Sequence, residues 1–127
     1  CSLALEAIDI ILNEKMVENV QKMEPLFMGG LKKFEELEFI GEARGIGLMG
    51  ALEMVQDKKL KKPFNGSISI GERVANKCIE NGLICRPLGP SIVLCPPFIT
   101  TEEEMDFMFD TLKKTLSEVF IEVKSLI

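Results

Sequence analysis

Apolar residues recur at helical spacing from the first residues of the chain. They lie three or four positions apart, as on one face of a helix: Leu3, Ala7, Ile8, Ile11, Leu12 and Val20. Glu24 and Pro25 are expected to interrupt or kink this helix, because proline lacks the backbone donor and disfavours helical geometry in the residue before it. A second helical stretch is predicted over residues 26–37, with Gly29 and Gly30 inside it.

The middle of the chain changes to a strand pattern. Residues 39–55 are glycine-rich and partly alternating, which favours one or two strands with a turn or bulge near the glycines. Residues 56–66 are mostly polar and predict a surface loop. Residues 83–85 and 92–95 are short apolar runs on either side of a Pro- and Gly-containing connection, and they predict a hairpin.

Two further helices are predicted from the residues at their ends. Ser67 or Ser69 can cap a helix that stops at the Asn-Gly pair 81–82, because this pair favours a left-handed helix end. Thr100 or Thr101 can cap the last helix, which carries three glutamates in its first turn. That helix has a continuous apolar stripe: Met105, Met108, Phe109, Leu112, Leu116, Val119, Phe120 and Val123.

The order of these elements is α-α-β-(β)-α-β-β-α. It predicts an α+β fold in which a small, mainly antiparallel sheet is covered by helices on one face. A length of 127 residues fits one domain, since single domains usually run to about 100–150 residues. No apolar run approaches the roughly 18–20 residues that a bilayer helix needs, so no membrane partner is expected.

Composition narrows the chemistry that this chain can perform. It contains no His, which excludes Ser-His-Asp and Cys-His nucleophilic sites and most catalytic zinc sites, and no metal site is predicted. The net charge of −5 repels a phosphate backbone, so nucleic acid is not expected as a partner. The one basic cluster has no interleaved aromatic residues and is interpreted as a solvated loop: Lys58, Lys59, Lys61 and Lys62.

The four cysteines show no metal-binding or redox spacing. Cys1, Cys78, Cys85 and Cys95 form no CxxC pair, and the last three have apolar neighbours. Buried thiols in a reducing compartment explain this pattern better than disulfides or a metal. A cytoplasmic location is therefore expected.

Three glycines match a phosphate-binding spacing. Gly45, Gly47 and Gly50 fit G-x-G-x-x-G, but a dinucleotide site needs this triplet between a strand and the start of a helix. Here the glycines fall within or between predicted strands. The interpretation is that they let a neighbouring element pack closely.

Arg86 is the sharpest candidate for binding chemistry. It is predicted to follow a buried strand, and no acidic residue lies within four positions on either side. A guanidinium among apolar residues needs an anion, because an unpaired buried charge is costly. Two partners are open: the carboxylate of a ligand, which fits a guanidinium in two-point contact, or a structural ion pair with Glu42, Glu53 or Glu80. Arg44 is interpreted as part of an internal ion pair.

No residue is predicted to act as a catalytic group. The acidic clusters at residues 35–38 and 102–104 are interpreted as solvated surface rather than paired catalytic carboxylates. The twelve lysines fall on polar helix faces or in the loop at residues 58–62. None lies in an apolar stretch that would lower its pKa enough for a Schiff-base amine.

Two segments are similar to a known family. Residues 41–55 and 81–106 read GEARGIGLMGALEMV and NGLICRPLGPSIVLCPPFITTEEEMD. In this order they resemble the C-terminal small domain of the class III pyridoxal-phosphate aminotransferases, and within that family the omega-amino acid:pyruvate and polyamine:pyruvate transaminases. The resemblance assigns residues 1–127 to the small domain. Residues 1–23 resemble the helix that connects it to the large domain.

The resemblance implies a homodimeric enzyme of fold type I with active sites at the subunit interface. Such an enzyme moves an amino group from an amine or omega-amino acid to a keto acid such as pyruvate, with pyridoxal phosphate as electron sink. By position, Arg86 matches the family's mobile arginine, which pairs with the substrate carboxylate and swings away from an amine that lacks one. Pro90 stands where the family often has Asp or Asn, and it is expected to stiffen this loop.

The resemblance also implies what this chain lacks. The family's Schiff-base lysine, the Asp at the pyridine nitrogen and the phosphate-binding residues belong to the large domain, outside this chain. The chain alone is therefore expected to bind no cofactor and to be inactive.

The residues are also compatible with a second class of function. A stand-alone acidic α+β module that binds a small carboxylate through Arg86 has the same local chemistry. The chain begins without Met, signal peptide or capped helix start, so it is expected to start inside a helix, which favours the aminotransferase interpretation.

Overall fold

The computed structural model describes residues 1–127 and contains four α-helices and one four-stranded sheet. The helices are α1 Ser2–Asn13, α2 Met16–Lys33, α3 Ile70–Glu80 and α4 Glu102–Lys124. The strands are β1 Ile40–Ile46, β2 Met49–Met54, β3 Arg86–Leu88 and β4 Ser91–Leu94. This order agrees with the order predicted from the sequence, and the one bracketed strand of the prediction is present as β2.

The sheet has the strand order β1-β2-β4-β3, and all neighbouring strands are antiparallel. One row of residues across the four strands faces the core, and it consists of Ala43, Leu52, Ile92 and Pro87. Ala43, Leu52 and Ile92 are fully buried. Helix α2 contacts β1 and β2, α3 contacts β3 and β4, and α4 contacts both of these helices. The helices therefore cover this face, and the predicted α+β class is confirmed.

The glycine triplet builds the β1–β2 hairpin and its contact with α2. Gly47 lies in the turn with a φ of +56°, a backbone conformation that favours glycine. A Cβ on Gly50 would come within 2.8 Å of the Phe27 and Leu31 side chains of α2. No helix follows the triplet, so its role is close packing, as predicted, rather than phosphate binding.

The first helical break differs from the prediction. Helix α1 ends at Asn13, the chain turns through Lys15 at a φ of +51°, and Pro25 lies inside α2. Pro25 removes the bond to the Gln21 carbonyl, but both residues are exposed, so water can satisfy that carbonyl. Residues 1–23, which were expected to form one connecting helix, instead comprise α1 and the first part of α2.

The ends of α3 and α4 follow local capping rules. The Leu83 N–H donates to the Cys78 carbonyl and the Gly82 N–H to the Ile79 carbonyl, a Schellman end with Gly82 at a φ of +88°. Thr101 and Glu104 form a reciprocal capping box at the start of α4. Ser69 precedes α3, but the expected side-chain cap is absent because its φ of +48° directs the hydroxyl to the Gly66 carbonyl.

Helix α1 stands apart from the core. None of its residues is buried, and Leu3, Leu5 and Leu12 are each more than 60% exposed. Its only substantial contact is with α2. No helix of the chain combines the length and the apolar character that crossing a membrane requires.

Candidate functional site

The candidate site centres on Arg86, which begins the edge strand β3. The sequence predicted a buried strand at residues 83–85 with Arg86 after it, and this is wrong. Residues 83–85 lie outside the sheet and Ile84 is 87% exposed, because the chain needs them to pass from the end of α3 to the sheet edge. Arg86 is itself exposed and forms the first pair of the β3–β4 hairpin, opposite Val93.

Arg86 lies on the face of the sheet that the helices leave open. The neighbours in each strand of the buried row form a second row across the sheet: Arg44, Ala51, Val93 and Arg86. Because successive residues of a strand point to opposite faces, this row points away from the core. Two of the three arginines of the chain thus stand on one face, at its two opposite edges.

Arg44 is neutralised by its neighbours. Its Nη1 donates to the Glu53 carboxylate at 2.8 Å and to the Glu42 carboxylate at 3.2 Å. The hydrogen bond that Arg44 donates to Glu53, with the charges of both carboxylates, raises the pKa of Arg44 above its ordinary value. The prediction of an internal ion pair for Arg44 is confirmed.

Arg86 has no such partner in the chain. No carboxylate lies within 4.0 Å of its guanidinium and no hydrogen bond reaches it. The three acids proposed for a structural pair are engaged elsewhere: Glu42 and Glu53 with Arg44, and Glu80 with Lys77 at 2.8 Å. The structural ion-pair alternative for Arg86 is therefore wrong, and its guanidinium is free to meet an external anion.

The surroundings of Arg86 on the open face are largely apolar. Leu88 and Val93 share this face with it, and Ile46 and Met49 extend it at the β1–β2 end. Leu88, Ile46 and Met49 are 64%, 71% and 59% exposed. Large exposed apolar side chains on the same face as one free cation are the pattern of a surface that another element or a ligand covers.

The residues of this chain do not fit a pyridoxal phosphate site. Eleven of the twelve lysines are exposed, and the half-buried Lys77 is held by Glu80. No lysine has the enclosed apolar surroundings that keep an amine neutral. The basic loop is solvated, and Lys58 reaches the carbonyls of Glu35 and Leu37. No cluster of metal-ligating residues is present either.

The acidic clusters have structural roles at the surface. Glu35 accepts hydrogen bonds from Lys32 and from the Ala43 N–H, and Glu104 belongs to the cap of α4. The Lys32 bond, followed by that from Ala43, lowers the pKa of Glu35. Neither cluster presents a pair of carboxylates to a cavity, which agrees with the sequence interpretation.

Only some of the four thiols are buried. Cys78 is buried and Cys85 half-buried, and the neighbouring Cys78 thiol together with burial raises the pKa of Cys85 well above its usual range. Cys95 is exposed, contrary to the prediction, because it follows the last residue of β4 and leaves the sheet. All four cysteines are free thiols.

The sequence did not single out Gly71 or Gly89, which meet where helix α3 packs against the turn of the hairpin that carries Arg86. A Cβ on Gly71 would overlap the Gly89 carbonyl oxygen. The signal that could have indicated this contact was a glycine in the first turn of a helix, where its low helix propensity needs a compensating reason.

Comparison with known proteins places this chain in a family. A family model described as Aminotransferase class-III matches residues 1–116. The chain therefore belongs to the class III aminotransferases, a family of pyridoxal-phosphate-dependent enzymes. A curated relative, the adenosylmethionine-8-amino-7-oxononanoate aminotransferase of Methanocaldococcus jannaschii, is 40% identical over 118 residues, which is 93% of this chain and 26% of that protein.

Solved structures give the same result with higher identity. A PMP-bound aminotransferase from Vibrio fluvialis is 57% identical with a TM-score of 0.94, over 97% of this chain and 27% of that one. An omega-aminotransferase from Paracoccus denitrificans is 56% identical with a TM-score of 0.94, and the shares covered are also 97% and 27%. The chain spans about a quarter of the length of the proteins it matches.

Proposed function

We propose that residues 1–127 are the C-terminal small domain of an omega-type class III aminotransferase, joined to a large domain through residues 1–23. The complete protein would transfer an amino group from an amine or omega-amino acid to a keto acid such as pyruvate. The 56% identity to the Paracoccus denitrificans omega-aminotransferase supports the omega type, because it exceeds the 40% identity to the Methanocaldococcus jannaschii relative.

The observation that carries this proposal is the free guanidinium of Arg86. It matches the position of the mobile arginine that the family resemblance implies. Its exposure and lack of an acidic partner leave its donors available for two parallel bonds to a substrate carboxylate. Arg86 would thereby orient the keto acid, while an amine without a carboxylate would leave the side chain in solvent.

Pyridoxal phosphate is the proposed cofactor of the complete protein. Family membership and the PMP-bound Vibrio fluvialis neighbour support it. When bound, the cofactor supplies an electron sink for the amino-transfer reaction. Because no residue of this chain fits it, the contribution of this chain is to substrate binding rather than to cofactor binding.

A homodimer and a cytoplasmic location complete the proposal. The exposed apolar side chains of α1 and of the open sheet face support coverage by a large domain and by a second subunit. The four free thiols support a reducing compartment.

The alternative to the aminotransferase function is a stand-alone module that binds a small carboxylate. Arg86 is the only feature of the chain that favours it.

The test of Arg86 uses the complete enzyme and its two half-reactions measured separately. Arg86→Gln is expected to raise the KM for pyruvate by about tenfold or more, since a charged two-point contact is lost. The half-reaction with an amine that has no carboxylate, such as isopropylamine, should change little. Arg44→Gln is the matched control, because that arginine is already paired, and it should leave the pyruvate KM unchanged. An unchanged pyruvate KM in Arg86→Gln would contradict the proposed role.

The isolated chain provides a second test. Pyridoxal phosphate added to residues 1–127 should give no stoichiometric imine absorbance, and no amino transfer should be detected. A stoichiometric band that borohydride reduces would show that this chain binds the cofactor by itself and would contradict the domain assignment.

A further inference from the structure

The β3–β4 hairpin that carries Arg86 is held at its turn by helix α3. Its turn is the pair Gly89-Pro90, between Leu88 at the end of β3 and Ser91 at the start of β4. Gly71, in the first turn of α3, is buried directly beneath it. A Cβ at Gly71 would overlap the Gly89 carbonyl oxygen and would lie 3.4 Å from the Gly89 carbonyl carbon and 3.5 Å from the Ser91 oxygen.

These contacts are to backbone atoms, so they cannot be relieved by a side-chain rotation. Gly89 has a φ of +58°, and Pro90 has its own φ fixed by its ring and restricts the backbone of Gly89 before it. The Pro90 carbonyl accepts a hydrogen bond from the Met54 N–H at 3.1 Å. The turn is therefore fixed by Gly71 on one side and by the end of β2 on the other.

Strand β3 depends on this turn more than any other strand does. It has three residues and pairs with β4 alone, whereas β4 is also paired with β2. Three residues at about 3.3 Å each separate Gly89 from Arg86. A shift of the turn will therefore move β3, and Arg86 with it, while the core residues of β4 stay in place.

We infer that the contact between Gly71 and the Gly89 carbonyl positions Arg86 for substrate carboxylate binding. Gly71 is thus a positioning residue for the keto-acid half-reaction, although it does not touch the substrate. This inference rests on the proposed function of Arg86. Its distinguishing consequence is selectivity, because moving Arg86 affects substrates with a carboxylate and spares those without one.

The test compares glycine substitutions in the complete enzyme. Gly71→Ala is expected to raise the KM for pyruvate at least about fivefold, since a misplacement on the ångström scale weakens a directional contact. The kcat/KM for isopropylamine should stay within about twofold of the wild-type value, because its half-reaction does not use Arg86. Gly29→Ala is the matched control: Gly29 also lies in a helix, and a Cβ there meets nothing within 4 Å.

A second variant keeps the inference testable if Gly71→Ala does not fold. A Cβ at Gly89 meets nothing within 4 Å, so Gly89→Ala strains the same turn through its positive φ without overlap. It should show the same selective rise in the pyruvate KM. Equal losses for pyruvate and isopropylamine would indicate a merely structural role and overturn the inference.

The outcomes separate this inference from the proposed function beneath it. If Arg86→Gln raises the pyruvate KM and both glycine variants leave it unchanged, the positioning role is wrong and the role of Arg86 stands. If Arg86→Gln itself has no effect, the proposed role of Arg86 is wrong and the inference fails with it.

Discussion

The guanidinium of Arg44 lies 2.8 Å from the carboxylate of Glu53 on the neighbouring strand. Arg86, at the other edge of the same face, has no carboxylate within 4.0 Å. The same residue type thus has two different electrostatic states on one sheet. This contrast separates the structural arginine from the one that can bind a ligand.

The first prediction concerns the stability contributed by the Arg44 pairs. Arg44, Glu42 and Glu53 are all more than a third exposed, so solvent screens their interaction. Arg44→Gln is expected to lower the free energy of unfolding by about 1 kcal/mol or less. Urea unfolding at low and high salt measures this, and the difference should shrink as salt rises. A loss above about 3 kcal/mol would indicate a buried pair and contradict this description.

The second prediction concerns acid stability. The hydrogen bonds that Lys32 and the Ala43 N–H donate to Glu35 lower its pKa in the folded chain. A lowered carboxyl pKa stabilises the fold at pH values above the unfolded pKa, and this contribution is lost as the pH falls through the folded pKa. The stability advantage of the wild type over Glu35→Gln should therefore decrease between about pH 5 and pH 3.

Unfolding curves at several pH values in that range test this prediction. Glu36→Gln is the matched control, because the adjacent Glu36 side chain makes no hydrogen bond or ion pair. A wild-type advantage over Glu35→Gln that stays constant down to pH 3 would show that the charge of Glu35 does not contribute.

The third prediction concerns the start of α4. The Thr101 hydroxyl accepts a bond from the Glu104 N–H, and the Glu104 carboxylate accepts one from the Thr101 N–H. Thr101→Ala should lower the free energy of unfolding by about 1 kcal/mol, because one helix donor loses its partner. Thr101→Ser retains the hydroxyl and should lose much less. Thermal unfolding of the two variants side by side decides between a cap and a simple packing effect.

The fourth prediction concerns the association of the isolated chain. Leu3 and Leu12 of α1 are 85% and 66% exposed, and nothing in residues 1–127 covers them. We expect this chain to self-associate through the apolar side of α1. Light scattering should detect oligomers, which Leu3→Gln combined with Leu12→Gln should reduce. Leu60→Gln is the control, since Leu60 is 76% exposed in a loop. A monodisperse wild-type monomer would contradict this expectation.

Local patterns predicted most of the fold correctly. The α3 end at Gly82, the α4 cap at Thr101 and the glycine hairpin depend on neighbouring residues alone, so their sequence signals were sufficient. The position of Pro25 was not predictable in this way, because a proline inside a helix is tolerated when water satisfies the freed carbonyl.

The site was predicted less completely than the fold. Arg86 stood out because no acid lies within four positions of it in the sequence, and the structure adds that no carboxylate lies within 4.0 Å of its guanidinium. Its placement on an edge strand was missed, since the apolar run at residues 83–85 resembles a strand but serves as a connection. The Gly71–Gly89 contact joins residues 18 positions apart through the tertiary fold, which no local pattern encodes.

The two edges of the sheet both resist the addition of another strand. Edge strand β3 is three residues long and contains Pro87, which has no N–H to offer a neighbouring chain. Edge strand β1 has an irregular register between Ile40 and Glu42 and carries charged side chains. Oligomers of the isolated chain should therefore form through helix surfaces, and the sheet should gain no strands from a second chain. Growth into fibrils is thus disfavoured although apolar surface is exposed.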